Sequence, residues 1–158
     1  MISKYPTNRK TEDVVAYVTG NFKQRSIKPE SMIIESWERC YSDYQLDPDS
    51  DNEKIVLTSH ELNNHQQLMG DYFKIAADGV NSFGRALNQA GLAVLLADSQ
   101  GITVAKRLPS TGADLFESRG FLLGSCWNEK LSGTNAIGTS LIEKQPLIVH
   151  GQEHYNRN

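Results

Sequence analysis

The chain has 158 residues, a net charge of −3 and a pI near 5.8. That is enough length to bury roughly 70% of its surface and too little positive charge for a nucleic-acid surface that works by displacing counterions. Apolar residues make up 39% and charged residues 22%, a balance that excludes disordered and fibrous classes. No apolar run approaches the ~18 residues of a membrane span, and "MISKYPTNRK" leads into polar sequence rather than a signal-peptide core, so a cytoplasmic protein without membrane contact is expected.

In chain order, "TEDVVAYVTGNF" places Val14, Val15, Val18 and Phe22 at helical spacing, with Gly20 weakening the end. "KPESMIIESWERCYSDYQLDP" predicts a second helix: Pro29 suits a first helical position, and Ile33, Trp37, Cys40 or Tyr41, and Tyr44 recur every three or four residues before Asp47-Pro48. "DPDSDNEKIVLTSH" is an acidic, turn-rich connection in which Ser59 is the expected N-cap. From there Leu62, Met69, Ala76, Phe83 and Ala90 recur in sevens, with Tyr72, Val80 and Leu87 filling the seam. A continuous helix of ~30 residues and ~45 Å is expected, part of it packed on a partner helix in a homodimer. Gly91 ends it. "LAVLLAD" and "ITVAKR" read as two strands joined by "SQG", "LPSTGADLFESRGFLLGSCW" as a loop with one helical turn, and "QPLIVHG" as one more strand.

Four stretches invite a chemical reading. In "EKLSGTNAIGTSLIEK", Gly133 and Gly138 give G-x-x-x-x-G-T-S, against the G-x-x-x-x-G-K-[S/T] of a phosphate loop. The lysine is replaced by Thr139 and "GSCWNEKLS" is no buried strand, so nucleotide binding is disfavoured. A helix starting near Ser132 to Asn135 would still offer N–H groups to an anion, while the plainer reading is a turn at Gly133 and small residues for close packing. "HGQEH", His150 to His154, matches H-x-x-E-H, but it follows the strand-like "PLIV" and contains Gly151, so no metal is expected. His60 and His65 in "HELNNH" diverge round a helix and read as ordinary polar residues. Cys40 and Cys126 form no C-x-x-C pair, which leaves no disulfide framework; an inert thiol is preferred over a reactive one at Cys126.

"IIESWERCYSDYQLDP" resembles the SW-x-RC … G-L-x-P helix of the acetoin-operon and dihydroxyacetone-operon activators, and "GSCWNEKLSGTNAIGTSLIEKQPLIVHGQEHY" resembles their W-x-E…GTNAIGT-x-L…P-x-x-V-x-G-x-EH-[F/Y] signature. These are sigma-54-dependent transcriptional activators, and the matching region, about Pro29 to Asn158, is their N-terminal GAF-type sensor domain. The resemblance implies an α+β fold: a GAF-like antiparallel β-sheet flanked by helices and preceded by an N-terminal helical segment, here residues 1–57 before a sensor domain at 58–158. The long helix would lie on one face of the sheet and the Trp127 to Lys144 segment over the other, with a pocket between them. The family pattern continues past Tyr155 with further strands, so the expectation is a C-terminally shortened domain whose open sheet edge favours pairing with another chain. It also implies a nonenzymatic chain without cofactor, ATPase module or DNA-reading helix. Its partners would be a small metabolite or a metabolic kinase subunit. Asp98, Trp127, Glu129, Thr134, Asn135, Thr139 and His150 are the candidate ligand-binding residues, from position and polarity. A docking module with an occluded pocket is the alternative; a thiol-dependent reductase working through Cys126 is a weaker one.

Overall fold

The computed structural model describes Val14, Ala16, Tyr17, Gly20 and residues 31–48 and 54–156. The architecture is α+β, with helices and an antiparallel hairpin. The chain divides into two units, Glu53–Trp127 and a second that joins Met1–Asn52 to Asn128–Asn158.

In the discontinuous unit, Val14, Ala16 and Tyr17 are helical and Gly20 closes a turn onto the Tyr17 carbonyl; the rest of that expected first helix, and Pro29, lie outside the described residues. Helix α1, Ser31–Glu38, buries Ile33, Ser36 and Trp37, and Cys40 extends the same face. After Glu38 the coil widens into a π-helical turn, Arg39–Asp43, with the Tyr44 N–H on the Arg39 carbonyl at 2.9 Å. Arg39 and Cys40 follow Ser36 by three and four residues, the spacing that sets them on its side of a helix. Val14, Ile33, Trp37, Cys40 and Tyr155 form the core, covered by Tyr17, Tyr44, Leu46, Leu147 and Val149. Its two polar tips are answered: the Trp37 indole N–H donates to the Glu153 carbonyl at 2.8 Å and the Tyr155 hydroxyl to the Leu46 carbonyl at 2.8 Å. Helices α2, Glu129–Ser132, and α3, Ala136–Glu143, complete this unit's described helical pieces with a 3-10 turn at Gly151–Glu153.

"QPLIVHG" is not the strand its composition suggests. It pairs with no other strand among the described residues. Leu147 and Val149 pack on the Trp37 and Tyr155 core while Ile148, between them, is 70% exposed. The alternation is real, but it serves packing onto helix α1 rather than a ladder.

The continuous unit is built on helices α4, Ser59–Leu68, and α5, Asp71–Leu87, and on a hairpin. The expected ~30-residue helix is therefore broken. Gly70 sits at φ 57, ψ −138, a backbone that L side chains rarely adopt, and its position ends one helix and starts the next. The N-cap falls one residue before Ser59: Thr58 accepts from the Glu61 N–H, and the Glu61 carboxylate accepts from the Thr58 N–H at 2.8 Å, a reciprocal capping box. Gly91, left-handed at φ 69, ends a short 3-10 turn, Asn88–Ala90, as its position after the periodic run predicts.

Strands β1, Val94–Ala97, and β2, Thr103–Arg107, pair antiparallel from Val94↔Arg107 to Ala97↔Thr103, with a bulge after Leu96. Residues 124–127 add pairing that the sequence did not announce. The Thr103 N–H donates to the Ser125 carbonyl at 2.9 Å, the Gly124 N–H to Thr103 at 2.8 Å and the Cys126 N–H to Ile55 at 2.9 Å. Single bridges join Val56 to Ser125 and Ile102 to Cys126. The intervening stretch holds one short helix, α6, Ala113–Ser118, as expected.

Helix α5 rests on the hairpin through Val80 and Gly84. A Cβ built at Gly84 would lie 2.4 Å from Cγ and 2.6 Å from Cβ of Arg107, whereas one at Gly79 meets nothing within 4 Å. The obstructing atoms are the root of the arginine, so they cannot swing aside. Gly84→Ala should therefore cost about 1–3 kcal/mol of overpacking, while Gly79→Ala, at low protein concentration, should gain about 1 kcal/mol of helix propensity. Urea midpoints of the two variants, moving in opposite directions, check this.

Candidate functional site

The two segments that carry the family resemblance meet in one buried polar cluster. Ser36 projects from helix α1; Glu129 opens helix α2; Thr134 and Thr139 flank the start of helix α3. All four are at most 1% exposed. The Ser36 hydroxyl donates to Glu129 Oε2 at 2.6 Å, and its oxygen lies 2.7 Å from Thr134 Oγ1 and 3.3 Å from Thr139 Oγ1. A serine hydroxyl has one proton and two lone pairs. With the Ser36 O–H directed at the Glu129 carboxylate, both threonines must donate, and the Ser36 oxygen is saturated.

Arg39 supplies the counter-charge. Its Nε donates to Glu129 Oε1 at 3.0 Å and Nη2 to Glu129 Oε2 at 3.4 Å, while Nη2 also reaches Glu143 Oε1 at 2.6 Å. The Glu129 side chain is 0% exposed and that of Arg39 22%, so the carboxylate is wholly out of water and the guanidinium reaches it from the rim. Burial works against the Arg39 charge, but its hydrogen bonds and charge pairing with Glu129 and Glu143 outweigh this and hold the proton more tightly than usual. Cys40 Sγ lies 3.8 Å from Thr134 Oγ1. Burial, helped by the Glu129 charge, pushes this thiol up to about 12, which makes Cys40 a small apolar filler rather than a nucleophile.

The stretch with the phosphate-loop spacing is accounted for by internal bonds. Asn135 caps helix α3, its Oδ1 accepting from Ile137 N–H at 3.1 Å and Gly138 N–H at 2.8 Å; its own N–H donates to Thr139 Oγ1 at 3.2 Å. The amides that an anion would need are thus already engaged. Gly133 has φ 69, and a Cβ there would lie 2.7 Å from Tyr155 Cβ, so only glycine lets Tyr155 close over the turn.

Of the seven residues singled out from sequence, Glu129, Thr134 and Thr139 share the cluster, with Asn135 beside them as a cap. His150 is exposed and takes no part: its N–H donates to the Glu153 carboxylate at 2.7 Å in a terminal turn. Asp98 and Trp127 belong to the other unit. Asp98 Oδ1 accepts from the Gln100 and Ile102 N–H groups, both at 2.9 Å, forming the hairpin turn, while Oδ2 lies 2.6 Å from His65 Nδ1. The Trp127 indole donates to Thr103 Oγ1 at 2.8 Å and stacks edge-on against Phe121. His65 is thereby a positioned residue and not the plain surface histidine expected. No group of three or more His, Cys, Asp or Glu among the described residues is arranged to hold a metal ion.

Ser36 and Arg39 are the residues that sequence reasoning passed over. The signal was present in Ser36: it lies three residues after Ile33 and four before Cys40, inside an otherwise apolar face, and a buried hydroxyl requires a partner.

Removing Arg39 would strand a buried carboxylate. Arg39→Met should cost about 3–5 kcal/mol, and Arg39→Lys should recover only part of it because an ammonium cannot form the forked contact; urea denaturation of both measures this. A raised thiol pKa means that the folded state holds the proton of Cys40 better than the unfolded chain does. The stability it contributes is complete below the ordinary thiol value of 9.0 and is lost as pH rises toward about 12. Cys40→Ala should accordingly flatten the decline in stability across that window, as read from denaturation at a series of pH values.

No family model matches the chain. It is 35% identical over 130 residues, 82% of its length, to the acetoin catabolism regulatory protein of Cupriavidus necator, and 32% identical over 126 residues, 78% of its length, to the acetoin dehydrogenase operon transcriptional activator AcoR of Bacillus subtilis. In both comparisons it spans 20% of the relative. Its fold is similar to the DhaR N-terminal chain of the E. coli DhaR(N)–DhaL complex, with a TM-score of 0.59 at 18% identity over 80% of this chain and 42% of that one. This likeness establishes the GAF-like α+β architecture. With an identity of about a third over four fifths of its residues, the chain belongs to the family of the acetoin-operon regulatory proteins, as the counterpart of one fifth of their length.

Proposed function

We propose that this chain is a nonenzymatic signal-receiving module of a sigma-54-dependent transcriptional activator, that it takes its signal from a docked protein, and that it works as a homodimer. The observation that carries the reading is the saturated cluster around Ser36. Glu129, Thr134 and Thr139, expected from sequence to line a ligand pocket, already spend hydrogen bonds on Ser36 and Arg39. A ligand would have to replace bonds that are buried and complete, and so gains little by entering. Surface docking requires no such exchange. DhaR(N), whose fold is similar, is found in complex with DhaL, and a subunit of a metabolic enzyme is the class of partner proposed here.

A small metabolite is the second reading, and it rests on the continuous unit. There Asp98 and His65 form a partly exposed pair, at 9% and 18%, which a polar ligand could reach more cheaply than the sealed cluster. The mechanism is common to both readings: the signal must bind one arrangement of the module more tightly than another, since equal affinity shifts nothing.

Thermal melting with a panel of diols, ketones and phosphorylated trioses separates the two. Under the docking reading the midpoint stays put and a metabolic enzyme subunit co-purifies with the chain. A midpoint that rises with ligand concentration, and ceases to rise in His65→Ala, would replace it with the metabolite reading.

A further inference from the structure

We infer that the outer stripe of helix α5 is a docking face for a second copy of this chain, and that the two helices cross antiparallel at Gly79. This rests on the dimeric part of the proposed function and is independent of where the signal comes from.

Helix α5 turns Val80 and Gly84 inward, yet Tyr72, Ile75 and Phe83 remain 79%, 72% and 61% exposed. Together with Gly79 and Ala86 they follow one another at intervals of three or four residues, so they form one continuous stripe. Three large side chains in register on one helix are more than the scattered surface residues that need no explanation. Gly79 stands at the middle of the stripe with open space where a side chain would be. Another helix can approach the backbone most closely there, because the distance between packed helices is set by the side chains at their crossing.

The charges select the occupant and its direction. Asp71, Asp78 and Arg85 lie seven residues apart along one flank of the stripe, and all are exposed. A two-fold interface brings a surface against itself. If the second helix runs in reverse, equal flanks meet: Asp71 falls opposite Arg85 of the second copy, and the same pair forms again across the axis. Ile75 then meets Phe83, and Tyr72 meets Ala86. The two Asp78 side chains come together near the axis, each with Lys74 of its own helix one turn away as an offset. In a parallel arrangement each charged flank would instead face the side of its partner that carries Val80 and Leu87, and no opposite charges would meet. The pattern is complementary to itself only when reversed.

Sedimentation equilibrium of the described chain should show a reversible dimer. Asp71→Lys and Arg85→Glu should each weaken it by about tenfold, since either change turns two symmetric attractions into repulsions, and the double exchange should restore it. Gly79→Ala should dimerise more weakly although it melts higher at low concentration, which separates the interface from folding. With Cys126→Ser as background, an equimolar mixture of Ile75→Cys and Phe83→Cys should form the mixed disulfide, and Ile75→Cys alone should not cross-link. A chain monomeric at every concentration would overturn both this inference and the dimeric reading. A dimer indifferent to Gly79→Ala and not restored by the double exchange, or one cross-linked by Ile75→Cys alone, would overturn this inference and leave a dimer of another kind.

Discussion

One fully buried carboxylate, Glu129, organises everything the discontinuous unit does. A charge with no exposure can be kept only if its lone pairs are matched by donors from several directions. Here the donors come from helix α1, as the Ser36 hydroxyl, and from the π-turn that follows it, as the Arg39 fork. Ser36 and Arg39 stand three residues apart, a spacing that already sets both on one face of a helix. Apolar packing of Trp37 and Tyr155 supplies the larger share of stabilisation, but it is tolerant of small slides. The forked pair is not, and so it sets the register in which the apolar surfaces meet.

Much of the local structure was legible because it follows from single residues and short periods. The hairpin was visible in the apolar runs on either side of "SQG", the end of helix α5 in Gly91, and the buried face of helix α1 in Ile33, Trp37 and Cys40. What was misread depended on competition between distant parts. The heptads from Leu62 to Ala90 continue straight through Gly70, and periodicity alone does not register that one left-handed residue redirects the axis. "QPLIVHG" alternates like a strand, but whether alternating residues face a sheet or a helical core is decided by what lies next to them. The pairing of residues 124–127 with β2 was missed because "GSCW" offers no apolar run, and backbone N–H and C=O groups carry no sequence label.

The same distinction holds for the candidate site. The polar residues of "WNEKLSGTNAIGT" were identifiable as belonging together, and Glu129, Thr134 and Thr139 do meet. Their role was harder to read, since a carboxylate and two hydroxyls look alike whether they await a ligand or hold a neighbour. The deciding residues, Ser36 and Arg39, precede Glu129 by 93 and 90 positions. Asp98 and Trp127 show the converse, each being drawn into the hairpin by local needs: a turn to close and an indole to satisfy.

The separation of 90 residues between Arg39 and Glu129 also has a consequence in time. Ribosomes add about 5–20 residues per second, so a newly made helix α1 waits on the order of 5–20 seconds for the carboxylate that fixes its place, and longer for Tyr155. During that interval the Ile33 and Trp37 face has no final cover, and transiently exposed apolar surface is what makes a new chain prone to associate with others. A pair of residues that looks like a matter of equilibrium stability is therefore also a constraint on how quickly the message must be read.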